Sequence, residues 1–331
     1  MDYTTEMIPD DNISFEESFY FNETDVSREQ SLSFIYYIFV SVFGLIANTL
    51  ILYVILRFRK MWTPTNIYVF SLALGDIFHM LCLLLFASEI ASTYWPLGQF
   101  MCRLFWTLIA LAPFTNVYFL TIMSIDIFIQ QYFPEFLKNR LGPKVAVVIS
   151  IIVWIVCVLL GIPLFIFADL NETYNCQSIW PEPFAFWNLT FISYRLALDF
   201  VFPVLLICIF LILMGVRFRN HEATKSSSRA IKENIILISV LTLVYFVFWV
   251  PTHVLEMMSA TVGDLEINEG SYYIISLIPY LKSCVYPVLY GFLSKNFEET
   301  LNAVLCCKNV QDSSSQPNNS SKKQEEKSSP C

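Results

Sequence analysis

Charge is scarce in this chain. Only 15% of its 331 residues are Asp, Glu, Lys or Arg, while 56% are apolar; a soluble domain carries about 25% charged residues and roughly 45–50% apolar ones. The excess apolar surface must face something other than water. Length alone would allow two soluble domains, but the apolar stretches are too evenly spaced for that. The motifs of common enzymes are also missing. There is no glycine-rich phosphate cradle, no His-Glu-x-x-His pair and no nucleophile elbow. Histidine is nearly absent. His79, His221 and His253 lie far apart and make no metal spacing with the cysteines. His253, close to Trp249 and Pro251, reads as a pocket-wall residue. Internal repeats and broken helices, expected of a transporter, are lacking. Net charge −8 and a membrane topology exclude nucleic-acid binding. Nothing implies a cofactor or a metal, and an enzyme is not expected.

What is present is a series of long apolar runs. Crossing a bilayer takes about 20 such residues, and seven runs qualify: 33–56, 67–90, 102–128, 144–167, 194–216, 235–258 and 272–292. Backbone polar groups left open in lipid are too costly for anything but helices or closed barrels, and barrel alternation is missing. The predicted fold is an all-α membrane protein, a seven-helix bundle over 33–293, with a short amphipathic eighth helix at 294–307. An acidic outer tail, 1–32, precedes it and a polar inner tail, 308–331, follows; both read as disordered. The polar stretch ahead of the first run does not look like a cleaved signal peptide.

Loop charge sets the orientation. Arg57, Arg59 and Lys60 follow the first run, Lys138, Arg140 and Lys144 precede the fourth, and Arg217, Arg219, Lys225, Arg229 and Lys232 lie between the fifth and sixth. The alternate loops are acidic, with Asp169, Glu172 and Glu182, then Asp264, Glu266 and Glu269. Positive charge marks the cytoplasmic side, so the N-terminus is outside, as in a multi-pass plasma-membrane protein. Glycosylation sequons at Asn12, Asn22, Asn171 and Asn188 all fall outside. The acidic leader is either a solvated tail or a steering field for a cationic ligand. Cys306 and Cys307 close the amphipathic stretch and are palmitoylation candidates, or plain thiols. Serines 313–315 and 320–321 are candidate phosphate acceptors.

Cys102, at the outer start of the third run, and Cys176, in the outer loop before the fifth, share an oxidising compartment where a disulfide persists. A bridge between them would tie that loop across the mouth of the bundle. Cys82, Cys157, Cys208 and Cys284 read as inert intramembrane packing residues.

The motifs inside the runs carry a resemblance. Gly44-Leu-Ile-Ala-Asn48, Leu72-Ala-Leu-Gly-Asp76, Trp154, Pro203, Phe248-Trp249-Val250-Pro251 and Pro287-Val-Leu-Tyr290 occur in the order of the landmark residues of rhodopsin-type G-protein-coupled receptors. Tyr53 to Met61, Thr65-Asn-Ile-Tyr68, Trp95-Pro-Leu-Gly98, Met123-Ser-Ile-Asp126, Ile179-Trp-Pro181 and Phe292-Leu-Ser-Lys-Asn-Phe297 resemble the somatostatin receptors and their opioid neighbours. The resemblance implies a peptide ligand outside, an inhibitory-class G protein and arrestin inside, and lipid around the bundle. It also implies an activation switch involving Asp126, Ile127, Trp249, Pro251, Pro287 and Tyr290.

The departures are specific. Where the family has Asp-Arg-Tyr, this chain has Asp126-Ile127-Phe128. Ile127 cannot pair with the acid or reach a G protein, and Asp126 is expected near the interface, solvated by water. Two readings stand: a receptor with reduced coupling, or a non-signalling receptor that captures ligand or pairs with another receptor. In the family the position of Asp76 helps hold sodium. The matching partners are Asn116, Lys282 and Tyr286, and Tyr286 replaces the asparagine of Asn-Pro-x-x-Tyr. A mid-membrane ionisable group is costly and usually paired. Lys282 therefore either pairs with Asp76 in place of sodium or faces a wet ligand pocket. The family's amine-binding Asp on helix three is matched by Ile109, with Pro113 one turn on expected to kink or loosen the helix. Candidate pocket charges are Glu89, Glu256, and Arg195 with Asp199, which share a helix face and could satisfy each other. The acidic outer surfaces favour a basic or amidated peptide.

Overall fold

The structure, a computed structural model, describes residues 12–133, 142–220, 225–262 and 269–305; the side chains of 12–31, 218–230, 269–273 and 303–305 lie outside that description. Seven described helices are long and apolar enough to cross a membrane: Leu32–Arg57, Pro64–Ser92, Gly98–Tyr132, Pro143–Phe167, Phe184–Arg217, Ile231–Thr261 and Ile274–Leu293. They lie within α1 (Asn12–Arg57), α2 (Pro64–Ser92), α3 (Gly98–Tyr132), α4 (Pro143–Phe167), α5, α6 (Lys225–Thr261) and α7 (Glu269–Leu293), with α8 (Lys295–Leu305) after them. The rod called α5 has three consecutive pieces, Phe184–Arg195, a π-helical turn Leu196–Val201, and Phe202–Asn220.

Local chemistry sets several ends. Thr63 caps α2 by accepting from the Asn66 N–H, with Pro64 in the first turn where a missing N–H does no harm. Pro143 opens α4 in the same way. Residues 12–32 of the leader continue α1 as helix where disorder was expected, and no Pro or Gly occurs between 12 and 43 to break the ladder; residues 1–11 lie outside the described residues. The bundle is helical as expected, and the two short strands lie in a loop outside it. A hairpin of β1 (Ala168–Leu170) and β2 (Cys176–Ser178) fills the loop after α4, pairing Ala168 with Ser178, Asp169 with Gln177 and Leu170 with Cys176. Its turn is closed by the Asn171 side chain, whose Oδ1 accepts from the N–H groups of Thr173 (3.0 Å) and Asn175 (2.8 Å).

α3 is the axis of the molecule. Its most apolar stretch is 72% buried, against 28% in α4 and 17% in α5, which turn Val, Ile, Leu and Phe outward to lipid. Close approach is licensed by small residues. A Cβ at Gly44 would sit 2.6 Å from Met80 Sδ, and one at Gly75 2.7 Å from Thr115 Oγ1. Asn48 ties α1 to α7 through the Ser283 carbonyl at 2.8 Å. α3 runs unbroken through Pro113, so the expected loosening does not end the helix. Cys208 points outward rather than packing inside, while Cys82 and Cys157 are buried; the neighbouring Ile207 takes the core-facing position on the sparsely covered α5.

Candidate functional site

Three polar layers cross the bundle, and its outer mouth comes first. Cys102 and Cys176 are disulfide-bonded, which draws β2 onto the start of α3. Glu89 does not stand free in the pocket: its Oε1 accepts the Cys176 N–H at 3.0 Å and so holds the same strand from α2. On β1, Asp169 accepts from Gln99 at 2.8 Å and faces Arg103 at 3.5 Å. The Leu170 N–H on its oxygen, with Gln99 and Arg103 assisting, holds the Asp169 carboxyl below its ordinary range. Trp180 packs between Phe167 and Phe191, with ring centroids 5.0 and 4.8 Å away, and closes the outer α4–α5 seam.

Below the hairpin, four predicted pocket residues meet between α5 and α6. Arg195 reaches Asp199 through Nε at 3.4 Å and Glu256 through Nη1 at 3.0 Å. His253 lies between the two carboxylates, Nε2 3.5 Å from Asp199 and Nδ1 3.7 Å from Glu256. The expected Arg195–Asp199 pair thus exists, but inside a larger network that sequence spacing did not reveal. Ile109 is half-buried against the disulfide cluster, and Pro113 is buried within α3. From His253 a stack of rings descends along α6 to Trp249 (5.8 Å) and Tyr245 (6.0 Å). Tyr245 was not singled out from sequence. Its hydroxyl donates to the Asp199 carbonyl at 2.6 Å, an acceptor for which Pro203, four residues on, has no N–H. The π-turn containing Asp199 is of a kind that recurs at functional sites.

The middle layer centres on Asp76. Lys282 Nζ lies 2.6 Å from Asp76 Oδ1, both side chains being buried. Ser283 Oγ donates to the same oxygen at 3.0 Å and Asn116 Nδ2 at 3.2 Å. The ammonium also lies 4.6 Å over the Tyr286 ring, a cation–π contact. Of the two arrangements open to Lys282, this is the pair with Asp76. The residues therefore do not fit a sodium ion, because the ammonium on Oδ1 already supplies the positive charge beside the carboxylate, although Oδ2 has no hydrogen-bond partner among the described residues. The space below, lined by Asn48, Asp76, Leu241, Tyr286 and Tyr290, is about 10 Å³, room for one water at most. Ser283 was missed, although its place beside Lys282 on α7 was visible.

The inner layer is closed. Ile127 is buried in the main core cluster. Asp126 corrects its expectation: it is buried rather than solvated, and accepts from Gln130 Nε2 at 3.0 Å. A donor one turn along the same helix replaces water. Tyr290 donates to Asn66 at 2.8 Å, and Tyr286 to the Leu241 carbonyl of α6 at 2.9 Å. Lys295 of α8 faces Glu233 of α6 at 3.7 Å. Pro251 and Pro287 lie inside α6 and α7. Asn171 is in the hairpin turn and Asn188 in the outer part of α5. The side chains of Asn12 and Asn22, and residues Cys306 and Cys307, lie outside the described residues.

A chain whose outer mouth is laced by a disulfide and whose inner end is shut by tyrosines has the build of a membrane receptor. Residues 47–290 match the family described as 7 transmembrane receptor (rhodopsin family). The chain is 36% identical over 277 residues to somatostatin receptor type 5 of Bos taurus, covering 82% of this chain and 75% of that one. To somatostatin receptor type 2 of Mus musculus it is 33% identical over 299 residues, 86% and 80% of the two chains. To somatostatin receptor type 1 of Rattus norvegicus it is 30% identical over 302 residues, 86% and 74%. The chain belongs to the rhodopsin family of G-protein-coupled receptors, in its somatostatin-receptor branch. It is a multi-pass plasma-membrane protein and not an enzyme.

Proposed function

We propose that this receptor binds an extracellular peptide of the somatostatin-like class and transmits by opening its cytoplasmic end to an inhibitory-class G protein. The observation that supports the reading is that one helix carries both ends of the task. α6 lines the outer pocket with Glu256, His253 and Trp249, and its inner half is held by Tyr286 at Leu241 and by Lys295 at Glu233. A ligand that favours a shifted α6 outside favours release inside, since a ligand moves an equilibrium by its differential affinity for the two states. Ile127 makes coupling weak, because no guanidinium is available to meet the G protein at that place.

The test is a panel of linear and cyclic peptides, somatostatin included, applied to cells carrying the wild type or Ile127→Arg at matched surface level. Cyclic AMP and arrestin recruitment are the readouts. A small peptide-dependent fall in cyclic AMP is expected, with a larger one in Ile127→Arg. Peptide binding with no fall in either protein would identify a capture receptor instead. Binding of a lipid or small acid with no peptide bound would overturn the reading.

A further inference from the structure

Trp249 and His79 face one another in the bundle core, and each carries a ring nitrogen without a hydrogen-bond partner. Trp249 lies on α6 and is 4% exposed; His79 lies on α2 and is 2% exposed. Their rings are 18° from parallel, with centroids 6.3 Å apart. Trp249 Nε1 and His79 Nδ1 both lack a partner among the described residues. The two groups are complementary. An indole N–H only donates, and an imidazole nitrogen without its proton accepts. A buried polar group left unpaired is costly, and in a native structure it calls for an explanation.

The other rings around Trp249 do not supply one. Tyr245 commits its hydroxyl to the Asp199 carbonyl. His253 turns its two nitrogens to Asp199 and Glu256, and it rides on α6 together with Trp249. His79 belongs to another helix and is fixed there. The Tyr280 ring of α7 stacks on it, with centroids 4.2 Å apart. A shift of α6 therefore moves the indole relative to this imidazole.

We propose that His79 is the positioning residue that accepts the Trp249 N–H in the opened receptor. In the closed receptor both groups stay unpaired. When α6 shifts, the indole brings its N–H onto Nδ1 of the imidazole protonated at Nε2, and two penalties are relieved at once. The bond favours the opened state from within the core. This rests on the reading that α6 shifts in signalling, and not on which ligand shifts it.

Two readouts on purified receptor test it. One is a fluorophore on the inner end of α6, which reports the open fraction. The other is the near-ultraviolet band of Trp249, isolated by subtracting the spectrum of Trp249→Phe in the same background; a hydrogen-bonded indole N–H absorbs at longer wavelength. His79→Phe keeps a ring against Tyr280 and has no acceptor, His79→Leu repeats that arm with less bulk, and His79→Asn restores an acceptor. Without ligand, the band should be the same in wild type and His79→Phe. Tyr286→Phe releases α6 from the Leu241 carbonyl and populates the opened state without peptide. In that background the band should move to longer wavelength. Adding His79→Phe should cancel the move and cut the open fraction roughly ten-fold, the scale of a buried group losing its partner. His79→Asn should retain most of both. Saturating somatostatin is the second route to the opened state and should give the same pattern. A band that already moves in unliganded His79→Phe would mean that the two nitrogens are paired in the closed receptor, and overturns the proposal. So does a shift that survives both His79→Phe and His79→Leu, which assigns the indole to another acceptor, or an open fraction unaffected by the His79 variants on both routes. If the pattern holds in Tyr286→Phe while somatostatin does not bind, the peptide reading fails and the role of His79 stands.

Discussion

Tyr286 of α7 donates its hydroxyl to the main-chain carbonyl of Leu241 of α6 across 2.9 Å, and both residues are buried. Ile127 of α3 has no side-chain donor with which to hold α6. The tyrosine that replaces the asparagine of Asn-Pro-x-x-Tyr clasps it from α7. Tyr286→Phe removes only this oxygen. A net hydrogen bond is worth about 0.5–1.5 kcal/mol, so the open fraction should rise roughly two- to ten-fold. A fluorophore on the inner end of α6 in purified receptor reads this directly. An unchanged spectrum with lowered thermal stability would mean that the bond holds the fold and does not gate the opening.

Sodium should leave the wild type untouched, because Lys282 holds the Asp76 oxygen at 2.6 Å. Removing one member of a buried pair costs roughly 3–5 kcal/mol, since the other is stranded. Lys282→Ala and Asp76→Asn should each lower detergent thermal stability. Added sodium should partly rescue only Lys282→Ala, which vacates a site beside an intact carboxylate. The double change Asp76→Asn with Lys282→Met should recover much of the loss. Thermal melts in sodium against a bulky organic cation decide; additive losses in the double variant would contradict a coupled pair.

Cys102→Ala should cut surface expression, because losing a native disulfide typically costs about 2–5 kcal/mol. Here it would also release β2 from α3, leaving the Glu89 bond to Cys176 as one of the remaining ties. Non-reducing peptide mapping of the wild type should recover the Cys102–Cys176 link. Recovery of both thiols in free form would refute it.

Asn171 should carry glycan and Asn188 should not. Asn171 sits in the hairpin turn, with its amide oxygen engaged by Thr173 and Asn175. Asn188 is helical, its sequon Thr190 already donates to the Phe186 carbonyl at 2.7 Å, and exposed Phe184, Phe186 and Trp187 mark a membrane-interface belt around it. Asn171→Gln should abolish one glycosidase-sensitive mass step, and Asn188→Gln none. A lost step in Asn188→Gln would place that turn of α5 in water.

Some of this protein is written in its sequence alone. The seven crossings and their orientation follow from runs of apolar residues and the placement of Lys and Arg, which are one-dimensional properties. The pairing candidates for Lys282 were also legible, because a mid-membrane ammonium has few partners and Asp76 is an acid at matching depth. Tertiary structure alone decided the rest. Lys282 and Asp76 lie 206 positions apart, so only packing chose between that pair and the wet pocket. The Tyr286 acceptor is a main-chain carbonyl, identical in every residue and invisible to pattern. Asp126 is buried rather than solvated because Gln130, one turn along, supplies the donor, a choice made by side-chain rotamers. The π-turn at Asp199 brings Arg195, His253 and Glu256 into one network across two helices. No spacing within either helix encodes that meeting, because the register between α5 and α6 is set by how they pack.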